Sequence, residues 1–283
     1  MEFTQVLVLF LFSLGVIFHS FGIYLLHQTK KSSPNKTQWL YLLNLSVAEL
    51  VLCVTGASRR FFKFIHHKEI AMSITLYQWT GCLLVYFIAM IALTVDRFLA
   101  VYLNIRYQLH CTEMKTNIFI ISTWVISTLF AVIINESFSE EEILNLTIMY
   151  LFPVCEGTFL LIAIFTYAYF YKKVRRNRIR HSVAVSSVTA GVSEGENRRQ
   201  KQRNNGLYVP TLIVITFVFF VILPDQVFFV TTILHIRISH LILNIMGVGY
   251  ALGFILDAII YVFLCSQVRR VAHRIFKRCC NEL

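Results

Sequence analysis

The sequence predicts an all-α membrane protein, a bundle of seven transmembrane helices followed by a C-terminal amphipathic helix. Of its 283 residues 57% are hydrophobic and only 14% are charged, whereas a soluble domain carries about a quarter charged residues. Seven apolar runs reach the length of roughly 20 residues that a membrane-spanning helix needs. The basic residues lie in short segments between these runs. That distribution fits lipid headgroups and excludes nucleic acid as the expected partner.

The apolar runs cover residues 3–27, 37–57, 71–102, 116–134, 148–171, 207–234 and 241–264. We expect them to form one seven-transmembrane domain over residues 1–265. The first run is predicted to be an uncleaved signal anchor, because Glu2 stands where a signal peptide has basic residues and the run lacks a small-residue cleavage site. Residues 177–205 are basic and polar. They are expected to form a mobile third cytoplasmic loop.

The distribution of basic residues predicts the orientation in the membrane. Of the 26 Lys and Arg residues, 21 lie at or after the ends of the first, third, fifth and seventh runs. Cytoplasmic segments carry the excess of Lys and Arg, so we expect a multi-pass plasma-membrane protein with its N-terminus outside. Asn135 and Asn145 begin Asn-x-Ser/Thr sequons between the fourth and fifth runs, on the outer side. Both are therefore predicted glycosylation sites.

Residues 266–283 predict an amphipathic helix on the inner membrane surface. Apolar residues recur at helical spacing along one face, and the other face is basic. The basic face is expected to contact the anionic lipids of the inner leaflet. Cys279 and Cys280 are predicted palmitoylation sites, with two unmodified cytosolic thiols as the alternative.

The third apolar run ends with the sequence Thr-Val-Asp-Arg-Phe-Leu-Ala-Val, which contains Asp96, Arg97 and Phe98. Charge at the end of a membrane-length helix is costly unless it lies at the water edge or has a function. A simple interfacial charge pair is one interpretation. The segment also resembles the Asp-Arg-Tyr signature at the inner end of helix 3 in rhodopsin-like (class A) G-protein-coupled receptors. Phe98 stands in the Tyr position.

Segments in the second and seventh runs extend this resemblance. Leu-Asn-Leu-Ser-Val-Ala-Glu-Leu resembles the helix-2 signature of the family, with Glu49 in place of Asp. The end of the seventh run is similar to the Asn-Pro-x-x-Tyr motif, with Asp257 for Asn, Ala258 for Pro, and Tyr261 retained. An acid in the middle of a membrane is a functional candidate. The alternative for Glu49 is a protonated, hydrogen-bonded side chain within the bundle.

The resemblance implies a receptor in which an extracellular ligand activates a heterotrimeric G protein, with no enzyme activity, cofactor or metal. Pro224 matches the kink proline of helix 6, and a hinge is expected there because proline removes a backbone hydrogen bond. The residues implied for G-protein coupling are Asp96, Arg97, Phe98 and Tyr261. The residues implied for the activation core are Glu49, Asp257 and Pro224.

The predicted ligand pocket lies at the outer ends of the helices. Its candidate residues are Arg59, Arg60, Lys63 and Trp79, the last in the slot where amine receptors carry a ligand-binding Asp. The basic group predicts either a pocket mouth for an anionic ligand or a cluster neutralised by acids of the second outer loop. No Cys lies in residues 59–80 or 135–150. The outer disulfide that is usual in the family therefore cannot form.

Several alternatives remain open from the sequence. Within the family, a melanocortin- or adenosine-like receptor competes with a divergent chemosensory receptor; Asp257 and the tail are similar to melanocortin receptors. Because Ala258 replaces the Pro of the motif, a decoy that binds ligand without signalling is a second hypothesis. The membrane acids Glu49 and Asp257 make an ion-coupled transporter a third. Many class A receptors pair the helix-3 Arg with an acid at the inner end of helix 6. Here that position falls near Asn204, with no neighbouring carboxylate, so we expect ligand-independent signalling.

Overall fold

The structure is a computed structural model that describes residues 2–32, 36–103, 107–187, 209, 211–234 and 239–282. Within these ranges seven helices are long and apolar enough to cross a membrane, which confirms the predicted class. An eighth helix follows them. We label the eight helices in chain order α1 (Glu2–Ser32), α2 (Lys36–Phe64), α3 (Lys68–Leu103), α4 (Glu113–Ser137), α5 (Phe152–Ser187), α6 (Thr211–Ile233), α7 (His240–Ile259) and α8 (Ser266–Glu282).

Several helices extend beyond the apolar runs. Helix α2 continues to Phe64 and α5 continues to Ser187, which lies inside the expected third cytoplasmic loop. Polar side chains at the water edge end the hydropathy signal, but the backbone hydrogen bonds of a helix persist there. As a result Arg59 and Lys63 lie on the last turns of α2 and not in a loop. The rest of that expected loop, including Asn204, lies outside the described residues.

The centre of the bundle is an aromatic cluster contributed by α3, α5 and α6. Tyr86, Phe87, Phe159 and Phe217 are each almost fully buried. The ring of Phe217 meets those of Phe159 and Tyr86 edge-to-face, at centroid distances of 4.8 and 5.3 Å. Such pairs contribute about 0.5–1.5 kcal/mol each beyond the burial of their surface. The cluster therefore fixes α6 against α3 and α5 near mid-membrane.

A glycine allows α6 and α7 to approach each other closely. A Cβ atom at Gly253 would lie 2.7 Å from the Cβ of Phe220, a distance that real Cβ atoms do not adopt.

A wide, π-helical turn at Val218–Ile222 precedes Pro224 in α6. Pro224 lacks an N–H and its ring would crowd the carbonyl of Phe220, so a locally widened helix relieves the clash. Similar wide turns occur at Gln78–Cys82, Thr147–Leu151 and Ile260–Leu264.

The loop between α4 and α5, which is predicted to be the second outer loop, contains a short helix, Glu140–Leu146. The backbone N–H and the hydroxyl of Ser139 both donate to Glu142, each at 2.8 Å, and the backbone of Glu142 returns a longer bond to the Ser139 hydroxyl. These bonds form a capping box and lower the pKa of Glu142. Ile143 is buried against Leu76 and Ile134, which anchors the loop to α3 and α4.

Helix α8 separates its two faces as the sequence predicts. Val268 and Val271 are both buried, and Val268 belongs to the hydrophobic core of the bundle. The exposed residues of the opposite face include Arg269, Arg270, Arg274 and Lys277. The side chains of Cys279 and Cys280 lie outside the described ones.

Candidate functional site

The predicted charge pair lies at the C-terminal end of α3, the end that is predicted to face the cytoplasm. The Nε of Arg97 donates to the Asp96 carboxylate at 2.9 Å, and the Nη2 makes a second contact with the same oxygen. The side chains are only 7% and 2% exposed, respectively. Among the described residues Arg97 has no other ion pair. The sequence therefore placed both residues at one site, and the structure shows that they pair with each other.

Asp96 also receives a hydrogen bond from Tyr107. The Tyr107 hydroxyl donates to the second Asp96 oxygen, and it lies 3.2 Å from the hydroxyl of Thr37 in α2. Tyr107 belongs to a single helical turn, Tyr107–His110, in the loop after α3. Burial, followed by the neighbouring Asp96 charge, raises the pKa of Tyr107, so it is a stable donor. The carboxylate thus ties α3 to this loop and to α2. Sequence reasoning did not identify Tyr107.

Phe98 contacts α5, unlike Asp96 and Arg97, which pair with each other. Its ring stacks on Tyr102 and meets Tyr169 of α5 edge-to-face at 5.2 Å. Lys173 of α5 donates to the backbone carbonyl of Val101. These contacts hold the inner ends of α3 and α5 together. The side chain of Tyr261, the remaining predicted coupling residue, lies outside the described ones.

The predicted activation core is a buried polar cluster between α2, α6 and α7. Glu49 and Asp257 are almost fully buried, at 0% and 1% exposure. Their carboxyl groups lie within hydrogen-bonding range of each other. The hydroxyl of Thr216 in α6 donates to Asp257 in α7. The structure therefore brings the two predicted acids together. Pro224 lies eight residues, or about two helical turns, beyond Thr216 in α6.

His19 extends the polar cluster to α1, and sequence reasoning missed it. Its Nε2 lies 2.9 Å from the carbonyl oxygen of Phe254, so that nitrogen carries the hydrogen. The Nδ1 lies 3.2 Å from the hydroxyl of Ser46 and 3.5 Å from Glu49. A lone polar residue within an apolar run was the available signal.

A cavity of about 430 Å³ opens in the half of the bundle that is predicted to be extracellular, and we call it the outer cavity. Its lining includes all four predicted pocket residues, Arg59, Arg60, Lys63 and Trp79. Arg60 donates to Gln5 of α1 at 2.5 Å. Trp79 meets Phe152 of α5 edge-to-face at 6.4 Å. The acids of the second outer loop form no ion pair with the basic group among the described residues.

The lining of the cavity also includes acidic residues, here called the acidic wall, which sequence reasoning missed. Glu156 of α5 and Asp225 of α6 both line it, and their carboxyl groups lie within hydrogen-bonding range of each other. Gln226 donates to Glu156, and the hydroxyl of Tyr250 in α7 donates to Asp225. Each acid interrupts an otherwise apolar run, which is the signal that could have revealed them.

The two predicted glycosylation sites differ in their surroundings. Asn135 lies near the end of α4, where its amide nitrogen donates to Thr80 at 2.9 Å and to the carbonyl of Ala131 at 2.7 Å. A glycan would replace one of the two hydrogens on that nitrogen, so at least one of these bonds would be lost. Asn145 lies in the loop helix, and its side chain is outside the described ones.

Comparison with known proteins identifies the family. A family model described as the seven-transmembrane receptor (rhodopsin family) matches residues 21–261. No curated protein matches the chain. The matched region holds the paired Asp96 and Arg97, the buried acids Glu49 and Asp257, and nearly all of the outer cavity. The chain therefore belongs to the rhodopsin family of seven-transmembrane receptors, which are multi-pass membrane proteins and in general receptors rather than enzymes.

Proposed function

We propose that this receptor lies in the plasma membrane with its N-terminus outside and transmits the binding of an extracellular ligand to a heterotrimeric G protein. The ligand would enter the outer cavity. The G protein would bind at the inner ends of α3, α6 and α7, near Arg97 and Tyr261, after α6 moves outward. Membership of the family implies receptor signalling in general. The extracellular ligand and the heterotrimeric G protein are the partners proposed for it here.

One observation carries the proposal: α3 supports a ligand-sized cavity at one end and a closed charge cluster at the other. Trp79 lines the cavity and Arg97 lies in the charge cluster. At 1.5 Å per residue the helix rises about 27 Å between them. That distance is close to the roughly 30 Å thickness of the hydrocarbon core. A ligand therefore cannot touch the G protein, and the helices must carry the signal.

The buried polar cluster offers a route for that signal. Asp257 accepts from Thr216 of α6 and lies beside Glu49 of α2, so a shift of α6 alters contacts with both neighbouring helices. Pro224 separates the cavity half of α6 from the half that carries Thr216. A ligand that binds one arrangement of α6 more tightly shifts the population toward it. Outward movement of the inner half would then open a groove for a helix of the G protein.

A G-protein dissociation sensor in transfected cells tests coupling. We expect Arg97→Ala to abolish both basal and ligand-driven sensor responses, because this guanidinium is the buried cation at the proposed interface. The amount of receptor at the surface, measured with an N-terminal epitope tag on intact cells, should stay unchanged. Lys31→Ala is the matched control, because Lys31 is an exposed basic residue at the end of α1.

The outcomes separate the alternatives. A wild-type receptor that binds ligand but never dissociates any G protein would support the decoy hypothesis. Ion flux in reconstituted vesicles that depends on Glu49 and Asp257 would support the transporter hypothesis instead. Labelling of the N-terminal tag only after permeabilisation would contradict the proposed orientation.

We also propose that α8 lies on the inner leaflet. Its exposed face carries Arg269, Arg270, Arg274 and Lys277, while Val268 and Val271 are buried. Each basic residue near an anionic membrane contributes about 1 kcal/mol of attraction. Acylation of Cys279 or Cys280 would strengthen this contact. The attraction would keep the inner end of α7 at a fixed depth in the membrane.

A further inference from the structure

The charge arrangement of the outer cavity identifies a ligand class. We propose that the cavity binds a small zwitterion, with an ammonium group against Glu156 and Asp225 and an anionic group against Arg59 and Lys63. This inference rests on the proposed receptor function, since it names the ligand of the same site. It replaces the purely anionic ligand suggested by the basic residues alone.

Two buried acceptor atoms of the cavity lining lack a hydrogen-bond donor among the described residues. Glu156 is 1% exposed and Gln78 of α3 is 9% exposed, and both line the cavity. Among the described residues the Oε1 atoms of both side chains have no hydrogen-bond partner. A buried acceptor without a donor is costly. Two such acceptors in one cavity call for a ligand that brings N–H groups.

Because Glu156 and Asp225 lie close to each other, the ligand group beside them should carry a positive charge as well as N–H donors. Two carboxyl groups in contact do not both stay ionised unless a cation lies between them. The donors from Gln226 and Tyr250 satisfy only part of their acceptor capacity, because each carboxylate can accept several bonds. An ammonium group carries three donors and a positive charge, and it therefore matches both acids and Gln78.

The basic wall is separate from the acidic wall. Arg59 and Lys63 line the cavity from α2, whereas the two acids come from α5 and α6. None of the ion pairs among the described residues joins a basic side chain of this cavity to Glu156 or Asp225. The protein thus keeps opposite charges apart within one space. A ligand that carries both charges can neutralise both walls at once.

The size and the remaining lining restrict the body of the ligand. A volume of about 430 Å³ is near the lower end of the usual range for small-molecule sites. The apolar lining is largely aromatic and includes Phe12, Trp79, Phe152, Phe228, Phe229 and Phe254, together with smaller contributions from Leu52, Leu83, Pro153 and Met246. We therefore infer a compact molecule in which an apolar or aromatic body joins the two charged ends.

Thermal unfolding of the purified receptor in nanodiscs tests this directly, without any G protein. A thiol-reactive fluorophore can report unfolding, because Cys53 is a free thiol that is buried in the folded state. The probes are 4-(aminomethyl)phenylacetate and its singly charged analogues 4-methylphenylacetate and 4-methylbenzylamine. A fourth probe, 4-(aminomethyl)benzylphosphonate, shows whether the anionic end is better matched as a carboxylate or as a phosphonate. Apparent affinities come from the melting temperature as a function of probe concentration.

We expect the better zwitterion to bind at least about tenfold more tightly than either singly charged analogue, since each charged hydrogen bond lost costs that much or more. In Glu156→Gln the zwitterion should bind no more tightly than 4-methylphenylacetate, while the affinity for 4-methylphenylacetate itself stays unchanged. In Lys63→Gln the zwitterion should bind no more tightly than 4-methylbenzylamine, while the affinity for 4-methylbenzylamine stays unchanged. If Glu156→Gln does not fold, Asp225→Asn takes its place in the same comparison. Glu140→Gln and Lys68→Gln, both exposed and outside the cavity, are the matched controls.

The proposal is overturned if 4-methylphenylacetate binds as tightly as the zwitterions, because the cavity would then select anions alone. It is also overturned if Glu156→Gln weakens the zwitterion and the acid equally, or if no probe raises the melting temperature at millimolar concentration. Zwitterion binding without any G-protein response would support the ligand class and count against the proposed coupling. The two proposals can therefore fail independently.

Discussion

The hydroxyl of Tyr107 offers the sharpest test of the inner charge cluster. Tyr107→Phe removes the donor to Asp96 and the contact with Thr37, and it leaves the ring in place. A hydrogen bond to a charged group contributes about 1.5–3 kcal/mol. If this bond exists only in the resting arrangement, its loss shifts the resting equilibrium by roughly tenfold or more toward the active state. Basal signalling should rise accordingly until it saturates.

The assay compares basal G-protein dissociation at matched surface expression, together with the melting temperature of the purified receptor. Tyr102→Phe is the control, because Tyr102 is exposed and contacts Phe98 through its ring. We expect higher basal activity and a lower melting temperature for Tyr107→Phe only. A lower melting temperature with unchanged basal activity would refute the reasoning, because the bond would then be present in both arrangements.

Three further predictions concern one helix contact and two kinds of covalent modification. Gly253→Ala should lower the free energy of unfolding by roughly 1–3 kcal/mol, because the new Cβ would lie 2.7 Å from the Cβ of Phe220 in α6. Gly249→Ala is the control, because a Cβ there would meet nothing within 4 Å and should be neutral. Thermal unfolding of the two variants tests the difference. Asn145→Gln should remove most of the gel shift produced by glycosidase, since the sequon lies in the outer loop. Replacing Cys279 and Cys280 by Ser should abolish incorporation of a palmitate analogue; unchanged labelling would reject these sites.

The fold followed from the sequence because hydropathy alone identifies membrane spans. Every span contains an apolar run, and the bilayer fixes how long it must be. The ends were less predictable, since a helix can continue into water without an apolar signal. Helix α5 runs on to Ser187 for that reason. The basic group could be recognised because Arg59, Arg60 and Lys63 are close neighbours in sequence. The sequence predicted for it either a pocket mouth or a cluster neutralised by acids of the loop.

The acidic wall was not predicted, although each of its acids interrupts an apolar run, just as Glu49 and Asp257 do. Glu156 and Asp225 stand alone in separate apolar runs, and no local pattern joins them. They meet only because α5 and α6 pack side by side, which spacing along the chain does not show. Glu49 and Asp257 were found because each lies within a recognisable motif. His19 and Tyr107 lack such a motif and became evident only through their partners.

The anchoring of the second outer loop has a consequence for redox chemistry. The five cysteines whose side chains are described are free thiols, and the loop is held by the burial of Ile143 against Leu76 and Ile134. Reducing agents therefore have no covalent link to break near the cavity. Ligand binding should persist in concentrated dithiothreitol, and the outer half of the receptor should fold correctly in a reducing compartment or in a cell-free synthesis mixture.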